Sequence, residues 1–285
     1  MPLPTPRAAM LAIALVGSSV AGCVDISAGN AQYIDTIEKR FAVSGAPTLK
    51  VGTFDGSVEV NTWDRPEVLV TIERRAASRS DADRMQITAE QTGDRVDVDV
   101  RGHREGGFHL DFGSFSARIS VMVPLKATVE ARTGDGRVTV RDVQGDLNVR
   151  TGDGSIRLEH VKGAVDATSG DGSIEIEGEI DGLRARSGDG RVHLHAANKA
   201  LSSDWSLATG DGAVVVEVPD GFSAELDATT GDGRVEVRDV PFSGSSDSRH
   251  RGAARGRIGD GGARVTIRTG DGSITVRQAT GIPES

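Results

Sequence analysis

Thr-Gly-Asp-Gly-Arg-Val-Thr-Val at 133–140 returns six more times, as TGDGSIRL at 151, SGDGSIEI at 169, SGDGRVHL at 187, TGDGAVVV at 209, TGDGRVEV at 230 and TGDGSITV at 269. The first four starts lie 18 residues apart, and the later gaps of 22, 21 and 39 read as insertions into the same unit. A fixed period of this kind marks a repeat architecture. After each Gly-Asp-Gly the second and fourth residues are apolar, from Val138 and Val140 to Ile274 and Val276. A second strand precedes each motif, with apolar pairs such as Leu147/Val149, Leu183/Ala185 and Trp205/Leu207. Period-two alternation places these residues on one face.

Each unit therefore reads as strand, turn, strand, turn, and one unit alone cannot bury its apolar side. Stacking successive units at about 4.8 Å aligns equivalent residues into columns. The expected fold is all-β, a β-solenoid of 18-residue two-strand coils. An antiparallel β-sandwich or meander is the alternative. Stacked in chain order, Thr139, Arg157, Glu175, His193, Val215, Glu236 and Thr275 form one outward column. Arg141, Glu159, Glu177, His195, Glu217, Arg238 and Arg277 form its neighbour.

The N-terminus has a different grammar. Arg7 precedes an apolar run from Ala8 to Val20, too short for a permanent span and suited to a signal-peptide core. It ends at Val20-Ala21-Gly22 before Cys23, the one cysteine of the chain. These residues resemble a bacterial lipoprotein box, which implies cleavage before Cys23 and its acylation, with palmitate among the chains. Multiple acyl chains anchor stably where one does not. Val24, rather than Asp, after the cysteine resembles lipoproteins passed to the outer membrane of a Gram-negative host.

The expected organisation is a signal peptide at 1–22, a tether at 23–45, an atypical β segment or cap at 46–125, and the repeat solenoid at 126–285. Residues 102–116 read as a loop. Removing one 18-residue unit from the long gap leaves an insertion at about 241–262, a basic loop carrying Arg249, Arg251, Arg255 and Arg257. Its Gly, Ser and Arg content also suits a disordered segment.

Taken together, Gly-Ser-Val-Glu-Val at 56–60, Thr-Trp-Asp at 62–64 and the TGDG/SGDG series resemble a family of bacterial envelope proteins described as β-strand-repeat "putative adhesins", a domain of unknown function. The resemblance covers about 46–285. It implies a β-solenoid at the cell surface or in the envelope and brings no catalytic residues with it.

The seven motif aspartates, Asp135, Asp153, Asp171, Asp189, Asp211, Asp232 and Asp271, have two readings. As turn residues, their flanking glycines supply positive φ and the carboxylates bond to nearby backbone N–H groups. As a ladder along one edge, they would attract calcium. The opposite turn carries no regular acid, which favours the first reading. His193 and His195 share a strand face, where Glu175 and Glu177 of the preceding coil are the available additional metal ligands. No nucleophile–base spacing and no phosphate loop appears, so no catalytic residue or cofactor is expected.

Acidic residues exceed basic ones by 42 to 33, which argues against a general nucleic-acid binder. The function expected is that of a non-enzymatic, lipid-anchored envelope protein whose solenoid serves as an interaction or scaffold surface. Its partner would be an envelope protein or an anionic surface polymer. The alternative is a calcium-stabilised surface adhesin.

Overall fold

The computed structural model describes residues 33–102, 116–246 and 252–279. The signal peptide, Cys23, most of the 102–116 loop, Arg249 and Arg251 lie outside them. The strands before the repeats are β1 (Tyr33–Ala42), β2 (Thr48–Thr53), β3 (Val58–Trp63), β4 (Glu67–Ala76), β5 (Gln86–Thr92), β6 (Arg95–Arg101) and β7 (Ser116–Pro124). A four-residue helix, α1 (Arg79–Ala82), links β4 to β5. The repeats form β8 (Thr128–Thr133), β9 (Val138–Arg141), β10 (Leu147–Thr151), β11 (Ile156–Ser169), β12 (Ile174–Arg186), β13 (Val192–Ala196), β14 (Trp205–Thr209) and β15 (Val214–Val218). They continue as β16 (Ala224–Thr230), β17 (Val235–Arg238), β18 (Phe242–Ser246), β19 (Ala253–Ile258), β20 (Arg264–Thr269) and β21 (Ile274–Gln278).

These strands wind a β-solenoid with two faces. On the first face the neighbours run β5, β6, β2, β8, β10, β11, β12, β14, β20, β16, β19, β18. On the second they run β1, β4, β7, β3, β9, β11, β12, β13, β15, β21, β17. Coil-to-coil pairing is parallel; the antiparallel pairs are β1–β4, β4–β7 and β5–β6 at one end and β16–β19 and β18–β19 at the other. Between the faces lies one aliphatic core, in which alternate residues of each strand are buried, as in β15 and β16.

Coil order departs from chain order at both ends. The coil β2–β3 sits between β6–β7 and β8–β9, and the last coil, β20–β21, sits between β14–β15 and β16–β17. The outward columns therefore run Val215, Thr275, Glu236 and Glu217, Arg277, Arg238, not in sequence order. Translational identity of the repeats leaves the order open, because any coil offers its neighbour the same columns.

Three boundaries change as well. Residues 33–42 are strand β1 rather than tether. Tyr33, Ile37 and Phe41 recur every four residues, which mimics a helical turn, yet Asp35 on the same side pairs with Arg74 of β4 and Lys39 donates to Ala89 O. Residues 46–125 are more than a cap, since they supply two complete coils plus the capping strands β4 and β5. The basic insertion is an ordered hairpin over its described part: β18 and β19 pair antiparallel and extend the first face beyond β16.

The Gly-Asp-Gly corner works differently from the turn expected. Apart from Gly56 of the related Phe-Asp-Gly-Ser corner at 54–57, none of its glycines has positive φ. The constraint is approach. A Cβ on Gly154 would lie inside the carbonyl of Gly136 one coil away, and one on Gly172 inside that of Gly154. Nor do the aspartates hold the corner, since among the described residues none of the seven carboxylates accepts a hydrogen bond. The buried Thr or Ser that opens the motif does so. Ser169 Oγ donates to Gly154 O (2.8 Å) and accepts from Gly172 N (3.0 Å), and Ser187 Oγ repeats this with Gly172 O and Gly190 N (2.8 and 3.0 Å).

Candidate functional site

The sheet that positions outward side chains fixes what each face offers. On the second face the charges neutralise one another. Arg141 reaches Glu59 of β3 and Glu159 of β11, and Arg157 bridges Glu159 (3.2 Å) and Glu175 (2.7 Å). Hydrogen bonds from Arg141 and Arg157 hold the Glu159 carboxyl below the usual carboxylate range, against a smaller opposing push from burial.

The two histidines sit on this face, but their acid comes from the other side. His193 and His195 align with Glu175 and Glu177 across β12–β13, yet it is Glu217 of β15 that engages them. Its Oε2 lies 3.1 Å from His195 Nδ1 and 3.5 Å from His193 Nε2, the latter at ion-pair range without hydrogen-bond geometry. Its Oε1 accepts from Arg277 Nε of the inserted coil at 3.0 Å. Burial pushes the Glu217 carboxyl up, and Arg277, His195 and His193 together outweigh it, so the net shift is downward. Among the described residues no group of three or more His, Cys, Asp and Glu side chains is placed to hold a metal ion. The seven motif aspartates are all exposed, one per coil on one corner.

The first face carries a different column. The residue immediately before each Thr/Ser-Gly-Asp-Gly points outward, and across the coils these residues run Arg132, Arg150, Thr168, Arg186, Ala208, Arg268 and Thr229. Seven coils thus present four arginines in one column and no carboxylate within it. The guanidinium of Arg132 reaches Asp99 (3.2 Å), which continues the same row beyond Gly52, and that of Arg268 reaches Asp227 of the neighbouring column (3.0 Å). Between them, Arg150 donates only to Asn148 (3.1 Å), and Arg186 and the adjacent Arg184 have no ion-pair partner among the described residues. Shallow depressions beside the column are lined by Lys50, Glu130, Arg132, Asn148 and Arg150, and by Asp146, Asp166 and Arg184.

Sequence reasoning missed this column, although its signal is plain: four of the seven motif copies are preceded by arginine. It pointed instead to the insertion. There, Arg255 is tied to Asp227 (3.1 Å), which Arg268 shares, and Arg257 stands exposed on β19. The structure does not gather these two with an unneutralised basic cluster among the described residues.

Parallel coils stacked around one aliphatic core, with ionic side chains in columns outside, define a β-solenoid repeat protein. The chain belongs to the Toastrack DUF4097 family, whose model matches residues 126–277, more than half of the sequence. No curated protein matches it. Among solved structures it is similar to a "putative adhesin" from Bacteroides fragilis, with 12% identity and a TM-score of 0.49, over 85% of this chain and 96% of that one. A "putative cell adhesion protein" from Clostridium sporogenes gives 14% identity and a TM-score of 0.36, over 86% and 100%. A "putative lipid binding protein" from Parabacteroides distasonis gives 12% identity and a TM-score of 0.35, over 85% and 96%.

Proposed function

We propose that the protein is a non-enzymatic, envelope-anchored binding scaffold, held at Cys23 by lipid and meeting an anionic surface polymer with the first face of its solenoid. The observation that supports this reading is the arginine column. Guanidiniums at Arg132, Arg150, Arg186 and Arg268 recur along the solenoid axis, and the central ones lack carboxylate partners. Neighbouring strands stand about 4.8 Å apart, so adjacent or alternate coils present cations roughly 5 to 10 Å apart. A polymer with regularly spaced phosphates or carboxylates matches that spacing, and planar guanidinium forks bind such groups in two-point fashion. On a chain of net charge −9 the stripe also orients an approaching polyanion.

The test is co-sedimentation of the purified protein with lipopolysaccharide. Arg150→Glu/Arg184→Glu/Arg186→Glu should reduce binding at least tenfold, while Arg157→Glu on the second face should leave it unchanged. Equal binding by the triple variant and the native chain would remove the first face as the ligand surface. Separately, Cys23→Ala should move the protein from the membrane fraction to the soluble one.

A further inference from the structure

The two ends of the solenoid are finished differently. At the first end both faces are closed by antiparallel strands, β5 against β6 and β4 followed by β1 against β7. At the other end the β18–β19 hairpin closes the first face only. On the second face the sheet stops at β17, which pairs with β21 on one side and with no described strand on the other.

Burial registers the difference. In the six other motif copies the two aliphatic residues after Gly-Asp-Gly are at most 1% exposed, whereas Val235 and Val237 are only half-buried. Val240 and Phe242, which pack against the same core, are also half-buried. The hairpin behind, with Ala254 and Ile258 buried, forms the opposite wall of this step. An exposed strand edge of this kind is a template for another strand.

Nothing in the local sequence finishes the coil as a terminus. Arg-Val-Glu-Val-Arg-Asp-Val at 234–240 differs at one position from Arg-Val-Thr-Val-Arg-Asp-Val at 137–143, which is an interior coil. Asp239 and Asp142 adopt the same positive φ, 56° and 60°. The backbone polarity agrees too. Ile274 N donates to Arg234 O, so the N–H groups of Val235 and Val237 point the other way, to the open edge. In the interior coil the equivalent amide, Val138 N–H, donates to Ser155 O of the next strand at 3.0 Å.

That interior coil shows what fits. On its outer side β9 receives β11 in parallel register, with Ile156 opposite Val138, Arg157 opposite Thr139, Leu158 opposite Val140 and Glu159 opposite Arg141. Arg141 bonds to Glu159 at 2.6 Å across that pair. On β17, Glu236 stands where Thr139 does, which adds an acid opposite the basic position. We propose that the open edge of β17 docks an extended strand of a partner protein in parallel register, with aliphatic residues opposite Val235 and Val237, a basic residue opposite Glu236 and an acidic one opposite Arg238. Main-chain hydrogen bonds supply the affinity and alternate side chains the selectivity.

The probe is a fluorescent peptide with the sequence of residues 150–160, RTGDGSIRLEH, added to the intact protein and followed by anisotropy. Saturable binding is expected, weakened at least tenfold by Val237→Pro, which deletes an outward N–H and leaves pairing with β21 in place. Should that variant misfold, Arg238→Glu gives the same information: it should weaken the native peptide and bind better to one in which the glutamate of SIRLE is replaced by arginine. Absence of saturable binding, or affinity unchanged by both Val237→Pro and Arg238→Glu, overturns the site. Concentration-dependent self-association that Val237→Pro abolishes would place a second copy on the edge and overturn the partner strand.

Discussion

Thr230 donates its hydroxyl to the carbonyl oxygen of Gly272 at 2.7 Å, a residue 42 positions further along the chain. Thr269 in turn donates to Gly212 O at 2.9 Å. The hydroxyl ladder thus climbs from coil 209–218 to coil 269–278 and only then to coil 230–238, so the last coil made is seated inside the stack. Its seat is specified by repetition, since Gly272 presents the same carbonyl that every other second glycine presents.

Thiol crosslinking checks that order. In a Cys23→Ser background, Val215→Cys and Thr275→Cys stand on paired strands, about 4.8 Å apart. Val215 and Glu236 are separated by the inserted strand, roughly 9.6 Å, beyond the Cα separation of about 7 Å that a disulfide tolerates. Oxidation should link the first pair and leave Val215→Cys/Glu236→Cys reduced. The opposite pattern on non-reducing gels would restore sequential stacking.

Glycine substitution separates close approach from backbone freedom. Gly154→Ala drives a methyl into the Gly136 carbonyl, which is backbone and cannot rotate aside, so one coil must lift from the next. A loss of at least about 3 kcal/mol is expected, at the upper end of what overpacking costs. Gly93 in the β5–β6 turn has φ 60° and open space around it, so Gly93→Ala should cost only about 1–2 kcal/mol of left-handed strain. Urea unfolding of both variants gives the comparison.

How much of this was legible in the sequence depends on what repetition records. The aliphatic pairs and the position of the corners follow from the 18-residue period, which favours columns of like residues, and so parallel coils, over the antiparallel alternative. The order of coils does not, since Gly212 accepts Thr269 or Thr230 with the same chemistry. The corner's chemistry was misplaced for a related reason. Asp is a familiar turn residue, whereas the Thr or Ser before it looks like an ordinary exposed turn polar until its hydroxyl is seen bridging coils. The arginine column is harder to read because the outward residue before each motif varies among Arg, Thr and Ala, while the inward aliphatic pairs repeat in every copy. Glu217 was visible as a column member, but its hold on both histidines requires side-chain reach that register alone does not give.

Glu217 makes the second face sensitive to acid. Its carboxyl titrates below the ordinary value in the folded chain, where Arg277, His195 and His193 outweigh the burial that pushes it up. The sign follows: the stabilisation is complete above the unfolded glutamate pKa and is lost as pH falls through the lowered folded value. Between about pH 5 and pH 3 the native chain should therefore lose more Tm than Glu217→Gln. Parallel Tm profiles for the two proteins would remove the carboxylate from the acid limb.

Divalent metal should leave the melt unchanged. Calcium takes 6–8 oxygen ligands, whereas each Gly-Asp-Gly corner offers one exposed carboxylate and its neighbours belong to other coils. Calorimetric Tm values in EDTA and in excess calcium should agree. A rise in calcium, lost on Asp153→Asn/Asp171→Asn, would assign the aspartate edge to the metal.

The hydroxyl ladder itself predicts which substitutions its seats accept. Thr151 Oγ1 donates to Gly136 O at 3.0 Å and accepts from Gly154 N at 3.2 Å, and the side chain is buried. Thr151→Val keeps the shape and removes both bonds, leaving a buried amide without its acceptor at a cost of about 1–3 kcal/mol. Thr151→Ser keeps the oxygen and loses a methyl, about 1 kcal/mol at most, and Ser169 and Ser187 already fill equivalent seats with the same pair of bonds. Denaturant midpoints should therefore fall further for valine than for serine. The reverse ranking would mean that the methyl, and not the hydroxyl, holds one coil to the next.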